Sequence, residues 1–189
     1  MPYDGSNQIK NIPQAFRADN AGDSYYTPAW AYEELPIDWS KYNTGFEPCM
    51  GDGRIFSFLE DKGIEMDGRD PIYQQDNDEH GIDHVEDFFA WDGYVDLIMT
   101  NPPWSNSMDF IKHALPRCGT LLILDKLTKL ARVKCHDFWI NNEPDALFIH
   151  SRRLDFTGRG GASRYETCWY VWQNKEKHIK PGIHHIIGK

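Results

Sequence analysis

Residues 98–106 read IMTNPPWSN, an apolar run that ends in an amide, two prolines and a tryptophan. Consecutive prolines remove two backbone donors and fix φ twice, so no strand or helix continues and the segment is a stiff turn. Asn101 and Trp104 are thus presented rigidly where the run stops, and an amide beside an aromatic face suits a flat polar group. Acids mark three further places. In FEPCMGDG, Glu47 and Pro48 precede Cys49, Gly51 and Gly53, and glycines opening a helix let a ligand approach the backbone. The spacing is not that of the GxGxxG fingerprint, and a tight strand-to-helix connection has the same composition. Asp70 follows about 20 residues later, where an open α/β sheet places an acid on ribose hydroxyls. A carboxylate accepts two hydrogen bonds from a vicinal diol, although a turn role before Pro71 also fits. Asp87 can take an adenine amino group while Phe88 packs against the ring; Phe88 and the adjacent Phe89 also fit a plain core.

The elements needed to position these residues are legible in outline. DSYYTPAWAYEELP starts a helix at Thr27–Pro28, carries Trp30, Ala31 and Leu35 inside it and stops at Pro36. TGFEPC is a short apolar step, followed by helix-like spacing at Ile55, Phe56, Phe58 and Leu59 and a stop at Gly63. IEMDGRDP and VDLIMT read as strands, SMDFIKHAL as an amphipathic helix and GTLLILDK as a buried strand. KCHDFWINN is a short helix, DALFIHSRRLDF a strand, FTGRGGASRY a glycine-rich connection and YETCWYVW a final strand. Alternating strands and helices predict βαβ units in a mostly parallel sheet covered on both faces. Ligands then collect at the carboxyl ends of the strands, where strand order reverses.

At 189 residues and 40% hydrophobic, the chain suits one well-buried domain. Residues 1–22 read as an arm, 23–175 as the domain and 176–189 as a tail. No run of 18 apolar residues and no signal pattern is present, so no membrane partner and a cytoplasmic location are expected. Cys49, Cys118, Cys135 and Cys168 are too dispersed for a zinc knuckle or a disulfide framework, and the histidines lack ligand spacing, so no metal is expected. The net charge of −9 is unevenly spread. Residues 1–110 hold 6 Lys and Arg against 22 Asp and Glu, while residues 111–189 hold 14 against 7. One face is therefore expected to be basic, and a local field steers a polyanion better than net charge does.

With these motifs in order, the chain resembles S-adenosylmethionine-dependent DNA adenine-N6 methyltransferases. NPPW meets the marker Asp/Asn/Ser-Pro-Pro-aromatic, EPCMGDG the glycine-rich cofactor turn with its acid, and DSYYTP the preceding cofactor segment. RRLDFTGRGGAS followed by YETCWYVW is similar to the closing strands of small phage-encoded members, which would place the enzyme in the host cytoplasm. The likeness covers about residues 23–173 and implies a Rossmann-like class I methyltransferase with a mostly parallel seven-stranded sheet. It implies S-adenosylmethionine against Tyr26, Thr27, Pro28, Glu47, Pro48, Cys49 and Gly51, with Asp70 on the ribose and Asp87 and Phe88 on the adenine. Many members have Asp in place of Glu47 and another pair in place of Cys49–Met50. Asn101 and the Pro102 carbonyl would accept from the target amino group, and Trp104 would stack on an adenine flipped out of duplex DNA.

No separate target-recognition domain is expected after residue 111, since the closing strands take up most of that stretch. Two basic loops remain, with Lys126, Lys129, Arg132 and Lys134 in one and Arg159 and Arg164 in the other. They are expected to contact phosphates, which position nucleic acid without reading it, giving low or short sequence specificity. Methyl transfer to RNA or to a protein glutamine amide, and a catalytically inactive cofactor- or nucleic-acid-binding module, are the alternatives.

Overall fold

A computed structural model describes residues 27–69, 88–156, 162–174 and 178–188. Tyr26, Asp70, Asp87 and Arg159 of the expected site lie outside the described residues.

Seven described strands form one sheet: β1 (Thr44–Glu47), β2 (Glu65–Gly68), β3 (Val95–Thr100), β4 (Cys118–Lys126), β5 (Ala146–His150), β6 (Thr167–Gln173) and β7 (Gly182–Ile186). Their order is β2-β1-β3-β4-β6-β5-β7, and only β6 runs antiparallel to its neighbours. The mostly parallel α/β reading holds. Four described α-helices accompany the sheet: α1 (Trp30–Glu33), α2 (Arg54–Asp61), α3 (Ser107–Ala114) and α4 (His136–Asn141).

Period-two alternation sorts the strand side chains into two cores. Leu97, Met99, Leu122, Leu124, Phe148, Trp169 and Val171 face α1 and α2 through Ala31, Tyr32, Ile55 and Leu59. Ile98, Leu121, Ile123, Leu147, Tyr170 and Trp172 face α3 and α4 through Phe110, Ile111, Phe138 and Trp139. Every residue of β6 is buried, and each of its large rings finds a backbone oxygen for its polar tip. Trp169 Nε1 donates to Ala31 O at 2.7 Å, Tyr170 Oη to Lys126 O at 2.8 Å and Trp172 Nε1 to Asn142 O at 2.9 Å. Such partners let Tyr and Trp sit in a core without orphaned donors.

Two expectations are corrected. The helix expected from Thr27 is a single turn, Trp30–Glu33, whose N-cap is Ala29 with no side-chain cap; the Thr27 hydroxyl is engaged elsewhere. The segment read as a tail carries β7, which pairs in parallel with β5 from Ala146↔Gly182 to His150↔Ile186.

Buried His150 ties α1 to the sheet. Its Nε2 faces Ala31 O at 3.3 Å and its Nδ1 faces Thr167 Oγ1 at 3.0 Å. A neutral ring satisfies both if Nε2 donates and Nδ1 accepts from the hydroxyl. Burial pushes the His150 pKa down, with the Ala31 and Thr167 carbonyls opposing. Its stabilising contribution is therefore present above the unfolded pKa and lost as pH falls below it. Thermal unfolding followed from about pH 8 to pH 5 is expected to show a falling melting temperature, and His150→Gln is expected to flatten that slope.

Candidate active site

The order of the sheet reverses between β1 and β3, because the chain runs outward to β2 and then returns to β3 on the other side of β1. The carboxyl ends of β1 and β3 therefore lie side by side, and the turns carrying Glu47 and Asn101 meet there.

Glu47 closes β1 with its side chain buried. Its carbonyl accepts from Arg69 N at 2.9 Å, and Met50 N donates to Arg69 O at 3.2 Å, so the glycine turn is stitched to the end of β2. The turn needs its glycines: Gly51 and Gly53 have φ of 56° and 76°, a region L-residues avoid, and Gly53 opens α2. A Cβ on Gly51 would meet nothing within 4 Å among the described residues, so the backbone there is approachable on that side. Pro48 and Met50 are buried, Met50 packing beside Gly68, whereas Cys49 is only half-buried.

Thr27 joins this turn to the one after β3. Arg54, paired with Asp52, reaches Thr27 O at 3.5 Å, while Asn101 Nδ2 donates to Thr27 Oγ1 at 3.1 Å. Residues 74 positions apart, singled out separately in the sequence, are thus in direct contact. Asn101 Oδ1 accepts from Trp104 Nε1 at 3.2 Å. These two bonds assign the amide orientation. Nothing among the described residues donates to the Pro102 carbonyl.

Trp104 departs from its expected role. Its side chain is buried, edge-on to Phe156 at 5.3 Å and to Tyr165 at 6.3 Å, and Lys126 Nζ sits 4.9 Å from its ring centre. In this structure Trp104 packs the core and orients Asn101 rather than offering a face to a base. Among the described residues, an outward aromatic at this rim is Tyr165, 44% exposed, with Lys126 Nζ 4.0 Å from its ring centre. Tyr165 was not singled out in the sequence; its place between a glycine-rich connection and a buried strand is the available signal. Phe88 is core, stacked between Phe46 at 5.8 Å and Phe110 at 5.3 Å. Pro28 is half-buried beside Thr27.

The basic residues divide. Arg132, Lys134 and Arg164 are exposed, and Lys126 lies over the two rings. Lys129 is a correction: it is 2% exposed, because the 3₁₀ turn Leu127–Ala131 folds it onto the buried carboxylate of Asp125, 3.1 Å away. Burial pushes the Asp125 pKa up, and Lys129 opposes this. Among the described residues no cluster of His, Cys, Asp or Glu could hold a metal ion, and no helix is long and apolar enough to cross a membrane.

Thiol reactivity follows from the same burial. Cys118 and Cys168 are fully buried, and desolvation pushes both thiols up to about 12. The thiolate is the nucleophile, so both are inert in the native state. Iodoacetamide at neutral pH, read by peptide mass spectrometry, is expected to label Cys49 well ahead of Cys118 and Cys168.

No protein-family model and no curated protein matches the chain. Solved structures do. PH1948 from Pyrococcus horikoshii, described as an RNA methyltransferase, superposes with a TM-score of 0.58 at 15% identity, over 80% of this chain and 88% of that one. The catalytic domain of hMettl16, in complex with MAT2A 3′UTR hairpin 1, gives 0.48 at 12% identity, over 88% of this chain and 79% of that one. What is shared with PH1948 is the fold, a Rossmann-like, mostly parallel sheet with helices packed on it.

Proposed function

We propose that the chain transfers a methyl group from S-adenosylmethionine to the exocyclic N6 of adenine in DNA, with low or short sequence specificity. The observation that supports this most is the hydrogen-bonded series Thr27–Asn101–Trp104 at the reversal point of the sheet, next to the open glycine turn. Thr27, Pro28, Glu47, Pro48, Cys49 and Gly51 fit the cofactor: a buried carboxylate suits its amino group, and the backbone at Gly51 is approachable. Asp70, Asp87 and Tyr26 are assigned to it from the sequence alone. Phe88 is packed inside the aromatic core between Phe46 and Phe110, so its ring is not offered to the adenine.

When bound, the cofactor supplies a methyl group already activated as an electrophile. What the chain must do is hold an amine whose lone pair is delocalised into its ring. Asn101 Oδ1 and the Pro102 carbonyl each accept one N–H of that amine. The nitrogen is drawn toward tetrahedral geometry, and the positive charge that develops on it meets two fixed oxygen dipoles. The prolines keep both oxygens still. Half-exposed Tyr165 provides a stacking surface for the base, and Arg132, Lys134 and Arg164 provide phosphate contacts.

A second reading, methyl transfer to RNA, is favoured by the fold shared with PH1948. One experiment separates the readings. The purified chain is incubated with isotopically labelled cofactor and, in competition, duplex DNA, structured RNA and protein. Acid-stable N6-methyladenine in DNA supports the first reading, and label in RNA adenine replaces it with the second. Label on cytosine, on protein or nowhere overturns both.

A further inference from the structure

The ion pair Asp125–Lys129 lies directly beneath the turn that carries Asn101. Both side chains are almost wholly buried, at 0% and 3% side-chain exposure. Burying two charges is costly unless every remaining donor and acceptor is satisfied. Here they are. The ammonium of Lys129 has three partners for its three protons: Asp125 Oδ2 at 3.1 Å, Ser107 Oγ at 2.7 Å and Trp104 O at 2.9 Å. Ser107 Oγ donates to Asp125 Oδ2, and Asp125 Oδ1 accepts from Lys126 N at 2.7 Å.

The pair thereby joins four pieces of chain: the end of β4, the 3₁₀ turn after it, the first residue of α3 and the last residue of the proline turn. Asn106, the N-cap of α3, makes no side-chain cap bond, so this network fastens the place where turn becomes helix. The path continues upward. Lys129 Nζ holds the Trp104 carbonyl, the Trp104 indole donates to Asn101 Oδ1, and Asn101 Nδ2 donates to Thr27. Apolar side chains of the same volume would fill the space with similar stability. They would not grip a backbone carbonyl from a fixed direction.

We infer that Lys129, charge-paired with Asp125, is a positioning residue that sets the orientation of the Asn101 amide through the carbonyl and indole of Trp104. This rests on the reading of Asn101 as the acceptor for the substrate amine. A carbonyl oxygen displaced by 1 Å no longer faces the amine, a misplacement that costs about 100-fold in rate.

The test compares wild type with Lys129→Met and with the charge-free double variant Asp125→Leu/Lys129→Met. The double variant leaves no unpaired buried charge, so it decides the matter should the single one fail to fold. Two readouts are taken. The first is hydrogen exchange of the Trp104 indole N–H by NMR, assigned by its loss in Trp104→Phe and compared with the indoles of Trp169 and Trp172. The second is the division between kcat and KM for methyl transfer, with cofactor affinity measured by calorimetry. The expected result is protection of the Trp104 indole reduced about tenfold with the other two unchanged, kcat reduced about 100-fold and cofactor affinity retained. Undiminished Trp104 protection or an unchanged kcat in the folded double variant overturns the inference. Were wild type to methylate no nucleic acid, the functional reading would fall, while the indole signal would still decide the positioning role.

Discussion

Asn101→Ala is expected to lower methyl transfer by about 10²–10³-fold, the usual cost of removing one preorganised dipole from a site of developing charge. The variant loses Oδ1, which is assigned to accept from the substrate amine, and Nδ2, which holds Thr27 at 3.1 Å. Asn101 is only half-buried at the end of β3, so the fold should survive. Asn101→Asp separates the two losses. It keeps an oxygen for the amine, and the Thr27 hydroxyl can turn to donate to the other, so its activity should lie well above that of the alanine variant. Initial rates with labelled cofactor, beside calorimetric binding of the cofactor, measure both. An alanine variant within a few-fold of wild type would remove Asn101 from the chemistry.

The largest effect on stability is expected at Trp169. This ring is fully buried in β6, where it fills the core beneath α1 and donates to Ala31 O at 2.7 Å. Trp169→Ala leaves a cavity in close-packed surroundings and strands a carbonyl from one donor, for an expected loss of about 3–5 kcal/mol. That is a large share of the stability of an ordinary domain. Trp169→Phe keeps most of the packing and loses the hydrogen bond, at about 1 kcal/mol plus the trimmed volume. Urea unfolding followed by circular dichroism measures both. Because Ala31 lies four residues after Thr27, the alanine variant should also weaken cofactor binding.

What could be read beforehand was whatever is written locally. The β4 run CGTLLILDK is apolar almost throughout because both its faces are covered, and the glycine turn and the double proline each force one backbone course. The residues that were misplaced answer to distant partners. Thr27 before a proline is a sound helix start until an amide 74 positions away takes its hydroxyl. Lys129 sits among basic residues that were all expected to contact phosphates, and only the i,i+4 spacing from Asp125 hinted at the pair. The aromatic of NPPW promised a stacking face, but Phe156 and Tyr165, more than fifty residues on, enclose it. GIHHI is too short and polar to announce a strand, and its partner β5 supplies what its composition lacks.

Strand β7 covers the flank of β5, and just beyond it Gly188 N bonds the Glu34 carboxylate at 3.0 Å. A chain cut short after residue 175 would bare the ladder of β5 along Ala146–His150. An uncapped row of amides and carbonyls recruits like rows from other molecules. Shortened versions should therefore cloud and sediment on concentration, even though every residue assigned to chemistry is still in place.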